Sequence, residues 1–93
     1  MRCVFISYDL RAGSEAEYEA VADAIARFGD CTEPTESFWI LAGDSTPLLI
    51  ARELWTRFPN GRFVVGRFLL RPAVKNLERA RKADFDRFYG ATT

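Results

Sequence analysis

Apolar and polar positions alternate from Cys3 to Tyr8, with Val4, Ile6 and Tyr8 on one side and Cys3, Phe5, Ser7 and Asp9 on the other, which is the period of a strand. Ser14 then precedes a helical spacing of Tyr18, Val21, Ala22, Ile25 and Phe28. A Ser with Glu three residues on forms a capping-box pattern, Glu15 and Glu19 sit near the positive end of the helix dipole, and Gly29 ends the element. Asp30 to Glu36 reads as a weak strand, and Pro34 within it lacks the amide a central strand would use, so this strand belongs at a sheet edge. Phe38 to Ala42 is a strong strand. After the Gly43-Asp44-Ser45 turn, Thr46 caps a second helix with Pro47 in its first position and an apolar stripe of Ile50, Ala51, Leu54, Trp55 and Phe58. Pro59-Asn60-Gly61 turns into a last strand, Arg62 to Leu70.

The order strand, helix, strand, strand, helix, strand predicts an α+β, ferredoxin-like βαββαβ sandwich over residues 1–72. Its antiparallel sheet has the spatial order four, one, three, two, with both helices on one face. Pro72 closes that unit, and Ala73 to Tyr89 reads as a C-terminal helical extension (residues 73–93) whose stripe of Val74, Leu77, Phe85 and Phe88 is interrupted by Arg81. An isolated helix of about 15 residues is marginal in water, so this one must dock, with Phe85, Phe88 and Tyr89 to hold it.

The predicted sheet leaves one face open. Cys3 and Phe5 lie there, joined by Phe63, Val65 and Leu69 if Val64, Phe68 and Leu70 face the helices. An apolar face of that size calls for a cover, either a second subunit in a closed two-fold homodimer or the last helix. Phe5, Phe63, Val65, Arg67 and Leu69 are the expected interface, with Arg67 offered to an ion pair, to solvent or to an anion.

Composition narrows the chemistry. The chain has 93 residues, of which 48% are hydrophobic, with eight Phe, three Tyr and two Trp as large burial units for a single domain. Apolar runs of four or five residues fall far short of the roughly 20 that cross a bilayer, and no cleavable leader is visible at the start, so a cytoplasmic location is expected. Cys3 and Cys31 are too few for a zinc site or a disulfide scaffold and are expected to be reduced and partly buried. Net charge is zero, but residues 1–44 hold three basic and nine acidic groups and residues 45–93 hold ten basic and four acidic ones. Such asymmetry serves self-association or an anionic partner, unless the halves interleave in one sheet.

The chain has no histidine, and no phosphate-binding glycine loop is present, so any catalytic reading passes through Asp9 at the carboxyl end of the first strand. Two such carboxylates meeting across a dimer axis would repel, and would favour a shared proton or a hard cation, Mg²⁺ or Mn²⁺, able to hold a scissile phosphate. The alternative is that Asp9 bonds the turn amides of Arg11 or Ala12. Trp39 and Trp55 are read as core residues rather than base-stacking platforms, and Arg79, Arg81, Lys82 and Arg87 as a salt-bridged face with Glu78, Asp84 and Asp86.

Phe5-Ile6-Ser7-Tyr8-Asp9-Leu10, the helix near Tyr18, Glu36-Ser37-Phe38-Trp39-Ile40-Leu41 and Asp44-Ser45 together resemble the SinR-like proteins, relatives of the small CRISPR-associated adaptation protein and of virulence-associated protein D. The resemblance covers about residues 3–70. It implies a ferredoxin-like homodimer packed through its sheets, in which the aspartate at the position of Asp9 faces its twin and shares a divalent ion, and it matches the family's serine at the start of the third strand to Ser37. Some relatives are metal-dependent nucleases acting on RNA or DNA, and others are non-catalytic adaptors that hold DNA. Arg11, Ser37 and Arg62 are the expected nucleic-acid contacts, Asp9 is the expected metal ligand and catalytic group, and a protein-interaction module is the third class of function. Pro72 and the charged helix stand where the CRISPR-associated members often add a fifth strand.

Overall fold

A computed structural model describes residues 3–11 and 13–92. Its elements are β1 (Cys3–Asp9), α1 (Glu15–Ala26), β2 (Asp30–Thr35), β3 (Phe38–Ala42), α2 (Pro47–Arg57), β4 (Arg62–Arg67) and α3 (Arg79–Thr92). The sheet is antiparallel in the order β2-β3-β1-β4, so the ferredoxin-like arrangement and the edge position of the proline-bearing β2 both hold. Each βαβ crossover skips one strand, and the shared right-handedness of the two crossovers puts α1 and α2 on the same face.

Local signals act as expected. Ser14 Oγ accepts from Glu17 N–H and Thr46 Oγ1 from Leu49 N–H, both at 3.2 Å, which satisfies amide donors that the first helical turn leaves free. Past the end of α1, Gly29 takes a φ of 152°, and a Cβ there would lie 2.4 Å from Ala42 O, so both conformation and space exclude a side chain.

Val4, Ile6, Tyr8 and Leu10 join Val21, Ala24 and Ile25 of α1 and Ile50 and Leu54 of α2 in the main core. A second core lies on the opposite face, where Phe85, Phe88 and Tyr89 of α3 pack on Ile40, with Cys3, Phe38, Ala42, Phe68, Val74 and Leu77 around them. The last helix therefore covers the β2–β3 half of the face expected to be open. Its polar side is tied down too. Thr32, buried in β2, donates its hydroxyl to Asp84 Oδ2 at 2.5 Å, and Arg81 Nη1 donates to Glu33 O at 2.8 Å. The basic residues of α3 are largely paired as expected, Lys82 with Asp86 and Arg87 with Asp84, and Arg71 lies over the Tyr89 ring at 4.7 Å.

Several expectations are corrected. The last strand stops at Arg67 rather than Leu70, leaving Leu69 and Leu70 almost fully exposed. The last helix begins at Arg79 rather than Ala73, because Pro72 and then Asn76, at a left-handed φ of 57°, interrupt any earlier turn. Phe63 and Val65 face the helices, not the opposite side: they pair with Tyr8 and Ile6 and pack against the main core. Arg67 pairs with Val4 on that same side, so it does not sit among the apolar groups of the other face. Of the expected dimer residues, Phe5 alone lies under the α3-side cluster of rings, stacking on Phe38 at 5.9 Å and tilting against Phe68 at 5.4 Å. Its ring crosses Gly66, where a Cβ would meet it at 2.7 Å. Trp55 is 61% exposed rather than core. The cysteines are free and half-buried, on opposite faces of the sheet, and burial raises the pKa of both thiols.

The Thr32 hydroxyl, and then Arg87, hold the Asp84 carboxyl below its ordinary value of 3.8. A carboxyl lowered by folding stabilises the fold above its unfolded pKa and loses that contribution as pH falls through the folded value. The gap in Tm between the protein and its Asp84→Asn variant is therefore expected to be full near neutrality and to shrink as pH falls below about 4. A gap that stays constant as pH falls would show that the carboxylate charge contributes nothing to docking α3.

Candidate functional site

The candidate site lies at the end of the sheet where β1 finishes and β3 and β4 begin. Asp9 ends the central strand β1, is exposed, and pairs in register with Arg62, the first residue of β4. Its Oδ1 accepts from Arg11 N–H at 3.2 Å, and Arg11 adopts a φ of 28°, in the left-handed region that a non-glycine residue enters at a cost. The carboxylate thus bonds the Arg11 amide of the turn, as the second reading of Asp9 expects, while Ala12, the other amide named there, lies outside the described residues.

Arg11 and Arg62 line one cleft with Pro59, Asn60 and Gly61, a space of about 650 Å³ between the turn after β1 and the α2–β4 turn. Gly61 N–H donating to Phe58 O at 2.9 Å fixes the second of these turns. Two guanidiniums and one carboxamide therefore line one space, and guanidinium is the side-chain group whose forked donors match phosphate oxygens.

Ser37 is placed elsewhere. It occupies the β2–β3 turn at a φ of 61°, with its N–H donating to Glu33 Oε2 at 3.1 Å and its carbonyl accepting from Tyr8 N–H at 3.1 Å. Two of the three expected nucleic-acid contacts therefore share a cleft, while Ser37 lines a separate one with Tyr8, Tyr18 and Trp39. Asn60 was not singled out in the sequence; its place in a Pro-Asn-Gly turn marked it as a turn residue, and only the approach of the β1 turn makes it part of a cleft wall.

Among the described residues, no group of three or more His, Cys, Asp or Glu side chains gathers to hold a metal ion. Asp9 is the one carboxylate that each chain brings to the end of β1, and Mg²⁺ held by one or two carboxylates completes its shell with water and phosphate oxygens. No described helix is long and apolar enough to cross a membrane. No family model matches the chain, and no curated protein matches its sequence, so the SinR-like resemblance rests on the short motifs quoted above.

Proposed function

We propose that this ferredoxin-like chain is a nucleic-acid-binding module that works as a non-catalytic adaptor, with Arg11, Asn60 and Arg62 taking backbone phosphates. The single observation that carries the reading is the convergence of the two arginines on one cleft from separate turns, beside the exposed end of the central strand. Arginine forks suit a phosphodiester, and a basic groove that follows the backbone is how single strands are held without sequence preference.

A metal-dependent nuclease is the second reading, favoured by the exposed carboxylate of Asp9 next to Arg62. It takes a homodimer in which two Asp9 groups meet and share one ion. Room for such pairing is left on the β1–β4 half of the α3 side, around Ser7, Asp9, Arg62 and Val64. With no histidine in the chain, a general base would have to come from elsewhere.

Fluorescence anisotropy with short single-stranded RNA and DNA separates the readings. The adaptor reading expects binding that weakens with salt, a log–log salt slope that falls by about 1 to 2 in the Arg11→Ala, Arg62→Ala double variant, and no change on adding chelator. Cleavage that chelator and Asp9→Asn both abolish would establish the nuclease instead. Absence of salt-dependent binding to either nucleic acid overturns both and leaves the protein-interaction module. Asp9→Asn keeps an oxygen acceptor for Arg11 N–H, so its Tm is expected to stay near that of the parent, while Asp9→Ala is expected to lose about 1 kcal/mol.

A further inference from the structure

The acidic half of the chain builds a second cleft that the proposed nucleic-acid reading does not use. It runs between the first half of α1 and the β2–β3 hairpin, and encloses about 250 Å³. Tyr8, Tyr18 and Trp39 supply its aromatic surface, and Glu15, Glu19, Glu33 and Glu36 its charge. The strand register and helix phase set this arrangement. Tyr8 and Trp39 point to the α1 side because Ile6 pairs with Trp39 and alternation then carries Tyr8 to the same face. Glu15 and Glu19, four residues apart on α1, stand on one edge of that helix.

The rings are held in place. Trp39 Nε1–H donates to Tyr8 Oη at 3.2 Å, and the Tyr8 and Tyr18 rings lie 6.1 Å apart at 37°. Tyr8 is 8% exposed, so this wall is part of the folded core rather than a mobile surface.

The chain's own guanidinium already pairs with one of these carboxylates. Arg81 reaches round the sheet edge from α3 and lines the cleft, with Nη1 3.2 Å from Glu33 Oε1 and donating to Glu33 O at 2.8 Å. Glu33 is thereby used up, since its Oε2 also accepts the Ser37 N–H. Glu15, Glu19 and Glu36 have no ion-pair partner among the described residues, and all three are exposed at the mouth. One guanidinium thus pairs with Glu33 at one end, and three carboxylates beside the half-buried Tyr18 and Trp39 rings are left for another.

We infer that this cleft binds a guanidinium group, presented by an arginine side chain of a basic peptide segment on a protein partner. A guanidinium is flat, weakly hydrated and permanently charged, so it can lie on Tyr and Trp faces while its edges donate to carboxylates. A phosphate or nucleic acid is repelled by the same charges. Carboxylates on both sides of an open mouth favour a ligand with neighbouring basic residues over a free small molecule, because Glu15, Glu19 and Glu36 can then each meet a cation. The site is separate from the Arg11–Arg62 cleft and stands or falls independently of it.

The test uses the full chain carrying Trp55→Phe, which removes the exposed indole on α2 and leaves Trp39 as the only tryptophan. Three probes are titrated while Trp39 emission and the Trp39 indole N–H resonance are followed: N-acetyl-arginine amide, a short Gly-Arg-Gly-Arg-Gly peptide, and the same peptide with citrulline for arginine. Saturable binding of the arginine peptide is expected, weaker binding of the single arginine, and none of the citrulline peptide, which keeps the shape and loses the charge. In the Glu15→Gln, Glu19→Gln variant the affinity for the arginine peptide is expected to fall about tenfold, the product of losing two partly exposed ion pairs. Both positions are exposed, and far-ultraviolet circular dichroism checks the helix. Glu36→Gln, on the opposite wall, is expected to weaken binding without touching α1. An equal response to citrulline, an unchanged affinity in both variants, or no saturable response to the arginine peptide would each overturn the inference.

Discussion

Replacing Phe88 by Ala is expected to cost about 3–5 kcal/mol, a large part of the roughly 5–15 kcal/mol that holds a domain folded. Phe88 is fully buried, meets Tyr89 edge-on with centroids 5.1 Å apart, and belongs to the cluster that covers Ile40. Its loss leaves a cavity between α3 and the sheet, because neither the strand nor the helix can close over a missing ring without giving up other contacts. Truncation after Arg71 is the more drastic form of the same change: it removes Phe85, Phe88 and Tyr89 together and lays bare Ile40, Phe38 and Phe5. Urea unfolding is expected to show a lowered midpoint for Phe88→Ala, and the truncated chain to bind a hydrophobic dye or to aggregate. An unchanged midpoint in both would mean that α3 does not dock in solution.

The second large effect comes from β4, where adjacent valines are expected to respond in opposite ways. Val65 pairs with Ile6 and packs against the main core, whereas Val64 pairs with Ser7 and is 63% exposed on the other side. An arginine at 65 must place its charge among Ile6 and its neighbours without a partner, which is expected to cost about 3 kcal/mol or more and leave little folded protein. At 64 the same side chain reaches water, and stability is expected to change by no more than about 0.5 kcal/mol. Circular dichroism melts read the first comparison. Light scattering on Val64→Arg adds a second, since Val64 belongs to the half of the sheet that α3 leaves uncovered. A mass that falls from two chains to one in this variant would give the homodimer a location.

Both clefts depend on how the chain ends its strands. Asp9 could be picked out from the sequence because a carboxylate closes an alternating run, and the turn that follows could be seen in Arg11-Ala12-Gly13. The bond from Arg11 N–H to Asp9 Oδ1 is one of the two that a carboxylate before a turn can accept, whereas the left-handed conformation of Arg11 is a property of the folded turn. Arg62 became part of a site for another reason: antiparallel pairing of β1 with β4 brings it opposite Asp9 from more than fifty residues away.

The sequence by itself determined the element order, the two capped helices, the edge position of β2 and the need for α3 to dock. These follow from local physics: period-two alternation, side-chain oxygens capping free amides, and the missing amide of Pro34. Only the tertiary structure decided the phase of β4, because Phe63-Val64-Val65 is apolar throughout and carries no alternation to choose a face. It also decided that Trp55 is exposed although its spacing fits a core stripe, since Ile50 and Leu54 already fill the space above the sheet. The seat of α3 on the sheet is likewise tertiary, marked by a part-buried Thr32–Asp84 hydrogen bond and an Arg81–Glu33 pair. Each joins residues about fifty positions apart, a separation at which sequence patterns carry no signal and only the packing of the folded chain selects partners.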